Sequence, residues 1–339
     1  MRIRIRIKKI PKVFIIFLIA VSIAGICYNT IVFLGSKKKP PKEEVVVEIP
    51  DGASAQKIGK MLEEEEVITS AKRFVFHTKI TGEEKNIKAG RYLFHKGMSV
   101  RQVLKTLVKG ETIALSATIP EGLRLKEVAE ILESELKIDR KKFLKLANDK
   151  KYAARMGITG KNFEGFLYPN TYEFNYGVTE KEVIERFVRE FWKVFNDSLK
   201  KRAEEIGFTV YEVVTLASMI EEETMIEKEN PIVSQVYHKR LKLDRALECD
   251  ATVQFALPKH KSRLLYKDLK VKSPYNTYIH KGLPPGPIAS PGKSEIIAAL
   301  YPADTDFLYY VAKGDGSHIF SRTAKEHYKA IAKLRRSKK

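Results

Sequence analysis

Residues 216–225 read LASMIEEETM, an apolar run that ends in three consecutive carboxylates. A carboxyl group held against apolar surface can do acid–base chemistry. Partial desolvation disfavours its charged form and brings its pKa toward neutral, where one group can both give and take a proton. Thr209 and Glu212 have capping-box spacing and start the helix at Val210. At about 100° per residue from Val213, Leu216, Ala217, Ile220 and Thr224 fall within about 60° and form the buried stripe. Glu222 falls about 180° away and faces solvent, while Glu221 and Glu223 land near +80° and −80° (both about), on the two shoulders of the stripe. Val214, Ala217 and Met225 flank Glu221 along the helix; Leu216, Met219 and Ile220 flank Glu223. Geometry removes Glu222 and leaves the other two open. A shoulder carboxylate paired with one of the many lysines is the ordinary alternative.

Other chemistries are excluded by what accompanies these residues. Ser218 and Glu221 stand at the spacing of a penicillin-binding nucleophile and its lysine, but the lysine is a glutamate, so Ser218 has no activating base. No HExxH motif supports a zinc peptidase. The two cysteines, Cys27 and Cys249, are far apart, and no CxxC or Cys/His cluster is present. Neither a disulfide nor a metal is expected, and no cofactor is expected.

The chain has 339 residues, 44% hydrophobic and 31% charged, with a formal charge of +20, enough for two or three domains in anionic surroundings. Part of the excess sits in the terminal runs RIRIRIKK and KLRRSKK. Val13–Leu34 carries no charged residue, and as a helix it spans about 33 Å, enough for a hydrocarbon core of about 30 Å. The run is longer than a signal-peptide core, and Ile26 before Cys27 argues against a lipoprotein signal. Arg2, Arg4, Arg6, Lys8, Lys9 and Lys12 precede it; Lys37, Lys38, Lys39 and Lys42 follow. This bias predicts a single-pass anchor in the cell (inner) membrane, with a cytoplasmic basic tail (1–12), a transmembrane helix (13–34), a linker (35–44) and the rest extracytoplasmic. Nucleic acid is then not the anionic partner.

The elements that must hold the acids begin with an internal repeat. IPDGASAQKIGKMLEEEEVI (49–68) aligns with IPEGLRLKEVAEILESELKI (119–138), each after a short alternating strand and each leading to a second helix with an aromatic anchor, Phe74 or Phe143. A strand over Gly90–Phe94 and a helix carrying Val100, Val103, Leu104 and Leu107 lie between the copies. Strand and helices over 45–114 are similar to a LysM-type wall-binding module. Further on, the pattern predicts a long helix over Glu180–Lys200, a helix capped at Asn230-Pro231, a Pro/Gly-rich loop, a hairpin turned at Gly314-Asp315-Gly316 and a closing basic helix.

Four segments, EGFLYPNTYEF, LASMIEEET, YNTYIHKGLPPGPIASPG and FLYYVAKGDGSHIFS, occur in this order. Together they resemble the YceG-like (MltG) family of endolytic murein transglycosylases, and the likeness covers essentially the whole chain. It implies an α+β fold in which the anchor and the LysM-like module precede a mixed catalytic domain over 115–335. It also implies that the acid is Glu221, the first residue of the family's ExET segment, with Glu223 and Thr224 matching the remainder. The implied substrate is the glycan strand of peptidoglycan, cut between N-acetylmuramic acid and N-acetylglucosamine with a 1,6-anhydro end left behind. Nascent strands are the expected target and peptidoglycan synthases the expected protein partners. Asn170 stands where the family often has Asp, and LECDATVQFAL departs from the LQ-type residues that often precede Asp250.

The substrate-binding residues expected around that acid are Glu164, Tyr168, Thr171, Tyr172, Ser218, Glu223, Thr224, Asp250, Tyr275, Asn276, Thr277, Tyr278 and Pro284. Glu164 would orient a substrate amide or a neighbouring loop, and the tyrosines would stack on sugars or fill the core. His318 is expected to be structural. The rival expectation is a non-catalytic, membrane-anchored wall-binding scaffold, which would keep its function with Glu221→Gln.

Overall fold

A computed structural model describes residues 21–25, 28 and 43–337, and residues 21–25 and 28 are helical. The expected spanning helix over 13–34 otherwise lies outside the described residues, as do the basic tail and most of the linker. Among the described residues, no helix is long and apolar enough to cross a membrane. The described chain divides into two compact units: the residues up to Ala114 with Asn175–Gly177, and Leu115–Phe174 with everything from Val178 onward.

In the first unit, β1 (Glu44–Ile49) pairs antiparallel with β2 (Gly90–His95), Val47 opposite Tyr92. Alternation along β1 turns Val47 and Ile49 inward. Helices α1 (Ala55–Glu64) and α2 (Ala71–Thr81) connect the strands, and α3 (Val100–Lys109) follows them. Each helix starts at a serine: Ser54 and Ser70 accept from Lys57 N and Arg73 N, and Ser99 forms a reciprocal box with Gln102. Ile58, Leu62, Phe74, Phe94, Leu104 and Leu107 close the core. The Tyr92 hydroxyl, carried into that core, donates to Lys88 O at 2.7 Å.

The second unit repeats the opening. The strand β3 (Leu115–Ile119) pairs antiparallel with β4 (Asn170–Phe174), then turns into α4 (Leu125–Leu136) and α5 (Arg140–Ala147). Both copies of the turn end on a glycine in the left-handed region, Gly52 at φ +67° and Gly122 at φ +77°. Both aromatic anchors, Phe74 and Phe143, are fully buried. A short α6 (Lys150–Arg155) leads to the loop before β4. The expected long helix over 180–200 is two helices, α7 (Glu180–Val194) and α8 (Asp197–Glu205). Asn196 takes an extended backbone and its side chain accepts from Leu199 N, so a cap overrides the continuing apolar period. Before the break, α7 lays Phe187 against Tyr172 (ring centroids 4.3 Å) and Phe191 against Phe166 (4.9 Å).

Helix α9 (Val210–Glu223) starts at the expected Thr209/Glu212 box and is surrounded by α10 (Asn230–Lys242), α11 (Asp250–Ala256), α12 (Lys293–Leu300) and α8. Every residue from Val213 to Ile220 is buried, so the burial is a full sleeve rather than the predicted stripe. The hairpin of β5 (Tyr309–Ala312) and β6 (His318–Ser321) and the basic α13 (Ala324–Ser337) finish the chain. The fold is mixed α+β: among the described residues the strands form three two-stranded sheets and the rest of the framework is helical.

Gly165 ties two motifs of this unit together. It sits at φ +81°, and a Cβ there would lie 2.4 Å from Pro287 Cβ in the Pro/Gly loop. Gly165→Ala therefore combines backbone strain with a rigid clash and should cost about 2–4 kcal/mol. Thermal unfolding measures it; an unchanged melting temperature would mean the loop yields freely.

Candidate active site

The end of α9 meets two turns. One is the IPEG turn after β3; the other is the end of the Pro/Gly loop, where Gly292 is the N-cap of α12. The turns are laced by backbone bonds, Gly122 N to Ser290 O and Ser290 N to Leu123 O, both 2.9 Å. The loop is pegged to α9 by Ser218, which is fully buried, accepts from Ile288 N at 3.0 Å and donates to Thr215 O at 2.8 Å. Beyond the peg, Gly292 N–H donates to Glu221 Oε2 at 2.9 Å.

Around that amide stand three carboxyl groups, Glu121 from the IPEG turn, Glu221 from α9 and Glu295 from the first turn of α12. An oxygen of each lies within 4.8 Å of the others. Glu121 is exposed, Glu221 half-buried and Glu295 buried. A Cβ at position 292 would stand 2.1 Å from Glu121 Oε1 and 2.7 Å from Glu295 Oε2, so any larger residue would push these carboxyl groups aside. Burial pushes the Glu221 carboxyl up to about 8; the Gly292 amide opposes this, and the charges of Glu295 and Glu121 reinforce it. Burial also raises Glu121, helped by Glu295 and Glu227. The spacing would admit a cation as well as a shared proton, and the single N–H bond to Glu221 leaves lone pairs for either.

Glu223, on the opposite shoulder, is raised to about 6 by burial. Its oxygens are taken up by internal donors, the Cys249 thiol at 3.2 Å and the Tyr310 hydroxyl, itself 2.7 Å from the Tyr237 hydroxyl. Glu222 is exposed, as the helical angle requires. The difference between the two shoulders lies in their partners: Glu223 is saturated from within, whereas Glu221 accepts one backbone amide and otherwise faces carboxyl groups.

The remaining predicted residues divide between the cleft and its supports. Tyr168 is half-buried and close enough to Glu121 and Glu295 for their charges to raise its pKa after burial does. Asp250 accepts from the Tyr278 hydroxyl at 2.7 Å on the Glu223 side of α9. Tyr275 packs on Phe255, whose ring carries Arg124 5.1 Å above it. Thr171 is exposed on β4 and bonds across the ribbon to Thr118 at 3.0 Å. Glu164 accepts from Leu125 N at the start of α4, 2.8 Å, while burial raises it to about 7.

Several polar tips are spent internally. Asn276 is fully buried and donates to Leu269 O and Val271 O; Thr277 joins Thr252 and Cys249 N. Thr224 Oγ1 donates back to Ile220 O, Tyr172 is buried with its hydroxyl on Tyr168 O, and Pro284 is buried in its loop. Ser218 serves as the peg described above. His318 forms a buried pair with Glu229, Nδ1 to Oε2 2.7 Å, as befits a structural residue.

Glu121, Gly292, Glu295 and Asn230, which donates to Glu295 Oε1, were not singled out by sequence reasoning. For Glu121 a signal existed: it is the acid shared by both copies of the repeated turn. Asn230, expected as a helix cap, is inside α10 and turns its amide to Ser294 and Glu295 instead.

The model of the YceG-like family matches residues 47–333 of the chain. An endolytic murein transglycosylase of Bacillus subtilis (strain 168) is 35% identical over 316 residues, covering 89% of this chain and 88% of that protein. An endolytic murein transglycosylase of Streptococcus pneumoniae (strain ATCC BAA-255 / R6) is 27% identical over 88% of this chain and 59% of its own length. The crystal structure of a yceG-like protein from Listeria monocytogenes superimposes with a TM-score of 0.61 at 35% identity, covering 85% of this chain and 99% of that one.

A carboxyl raised on folding makes the native state favour the proton. The resulting destabilisation is absent below the ordinary value of 4.5 and grows as pH rises to about 8. Glu221→Gln should therefore melt higher than the parent, with a gap that opens between these limits. Because partial exposure screens the charge, the gap should reach about 1–2 kcal/mol. Equal melting temperatures at pH 4 and pH 8 would contradict the burial.

Proposed function

The chain belongs to the YceG-like family, and we infer that it is an endolytic murein transglycosylase, a lyase that cuts the glycan strand of peptidoglycan. The observation that supports Glu221 as its acid is the carboxyl cluster around the Gly292 amide, which keeps this one glutamate protonated near neutral pH beside an exposed face.

Protonated Glu221 gives its proton to the glycosidic oxygen as the bond from muramic C1 breaks, the bonding pair leaving with that oxygen. The ring acquires oxocarbenium character. The muramic C6 hydroxyl then attacks C1, and its proton passes to the Glu221 carboxylate, which closes the 1,6-anhydro ring and restores the acid. No water is consumed. A glycosidase needs a second carboxylate to supply or activate a nucleophile; here the substrate brings its own. Tyr168, beside the cluster, and Asp250 with Tyr278, on the far flank of α9, are suited to gripping the strand, consistent with their polar tips and partial exposure.

The first unit, two strands and three helices with capped starts, serves in this proposal as a LysM-like wall-binding module. The uncharged run 13–34, preceded by six basic residues, anchors the enzyme in the cell membrane with the N-terminus inside and the catalytic domain outside the cytoplasm. Nascent strands are then within reach, and peptidoglycan synthases working at the same surface are the fitting partners.

Full-length protein in detergent, incubated with uncrosslinked glycan strands, should release fragments with 1,6-anhydromuramic ends by mass spectrometry. Glu221→Gln should lower their rate by about 10²–10⁴-fold, while Glu223→Gln keeps measurable activity. Hydrated reducing ends would overturn the transglycosylase chemistry, and full activity of Glu221→Gln would overturn the acid.

A further inference from the structure

Glu295 enters the site from the first turn of α12 and is 8% exposed. Its Oε1 accepts from the side-chain amide of Asn230, itself buried in α10 and also bonded to Ser294 Oγ. That anchor fixes the rotamer and leaves Oε2 beside Gly292, where an added Cβ would stand 2.7 Å away. Gly292 is the residue whose amide holds Glu221. Buried there, Glu295 Oε2 receives no hydrogen bond from any fixed donor. A buried carboxylate oxygen left without a donor costs about 1–3 kcal/mol. The nearby groups that can supply a hydrogen are the other two carboxyls when protonated; Glu121 is exposed, and Glu221 is the one held in place by the Gly292 amide.

We propose that Glu295 is a positioning residue for the acid: it shares a single proton with Glu221, so that the pair rather than Glu221 alone gives up and regains the proton of the reaction. This rests on Glu221 being the acid. Before cleavage the pair carries one proton and one negative charge. Donation to the glycosidic oxygen leaves two negative charges within 4.8 Å, a state favourable only while the oxocarbenium-like ring faces it. When C6–O attacks C1 and that positive charge is lost, the repulsion between the two carboxylates draws the C6 hydroxyl proton back. One proton leaves and one returns, so the step balances without a co-reactant.

The other groups facing Glu295 do not neutralise it. Glu121 approaches from the IPEG turn, with Glu227 from the turn before α10 near Glu121, and Tyr168 comes from the loop before β4. At the opposite end of α12, Arg202 of α8 reaches Leu300 O, and His238 of α10, whose pKa burial lowers, reaches Ala299 O; Lys293, at the start of α12, is exposed. The α12 macrodipole favours a negative charge at its first turn, which is where Glu295 sits. The pair's proton is thus set by the two carboxylates and the Gly292 amide, with the charge of Glu121 added to them.

The test follows the rate of anhydro-end formation by the full-length enzyme from pH 4.5 to 9, with EDTA present. Glu295→Gln keeps the shape and an oxygen for Asn230 but removes the charge. Its alkaline limb should move toward acid by about one pH unit or more, with the low-pH plateau within about tenfold of the parent. A limb that stays in place under a uniform fall in rate would make Glu295 merely structural and overturn the proposal. Loss of the parent's activity in EDTA, restored by a divalent cation, would assign the carboxyls to a metal and also overturn it. A melting-temperature cycle at pH 8 reads the pair without turnover. Glu221→Gln and Glu295→Gln should each stabilise, and the double variant should add much less than the sum; strict additivity would refute sharing. If Glu221→Gln itself retains full activity, it is the acid assignment that fails, while the melting cycle still reports on the pair.

Discussion

The bond from Gly292 N–H to Glu221 Oε2 is the point on which the site depends, because it joins the end of one helix to the start of another at a position where a side chain would displace Glu121 and Glu295. Everything nearby keeps that amide in place. Ser218, one turn back on α9, holds Ile288 four residues before Gly292, so the loop is fastened to the same helix twice. The two bonds between Ser290 and the IPEG turn bring in Glu121. Gly165 against Pro287 and the full burial of α9 from Val213 to Ile220 give the loop a rigid floor. A general acid needs an orientation fixed to a fraction of an ångström, and here the fixing is done by backbone amides and short side chains, which have little freedom to lose.

Local features of the fold were legible because their causes are local. The Thr209/Glu212 box, the glycines of the repeated turn, the buried Phe74 and Phe143 and the Gly314–Gly316 hairpin all follow from a few adjacent residues. The split between α7 and α8 was written there too, in Asn196, but the apolar period running through it hid the cap. The site was legible in part. Helical angle removed Glu222 and left two shoulders, and it could go no further because both shoulders are desolvated. What separates Glu221 from Glu223 is brought by distant segments: Gly292, Glu121 and Glu295 on one side, Cys249 and Tyr310 on the other. Asn276 and Thr277 show the complementary limit. A polar tip suits a sugar and a backbone carbonyl equally well, and residue type does not say which one it meets.

The electrostatics of the cluster run against those of the molecule. A chain of net charge +20 should hold its carboxylates ionised, yet Glu221 is displaced in the opposite direction. Distance decides this. Surface charges beyond about 8–10 Å are screened at ordinary salt, whereas carboxyl oxygens within 4.8 Å of one another and a desolvated stem are not. The result is a protein that is basic at long range and acidic around Glu221, able to draw in an anionic polymer without drawing the proton off that carboxyl.

Three glutamates around one glycine also define what would bind here and stay. A sugar mimic that carries a permanent positive charge at the anomeric position would meet at least one full negative charge, and a second once the shared proton is gone. Its hold should tighten steeply as the medium becomes alkaline. An uncharged lactone with the same ring shape would gain nothing from that change. The cluster thus makes charge, more than ring geometry, the quality by which an inhibitor of this enzyme would be selected.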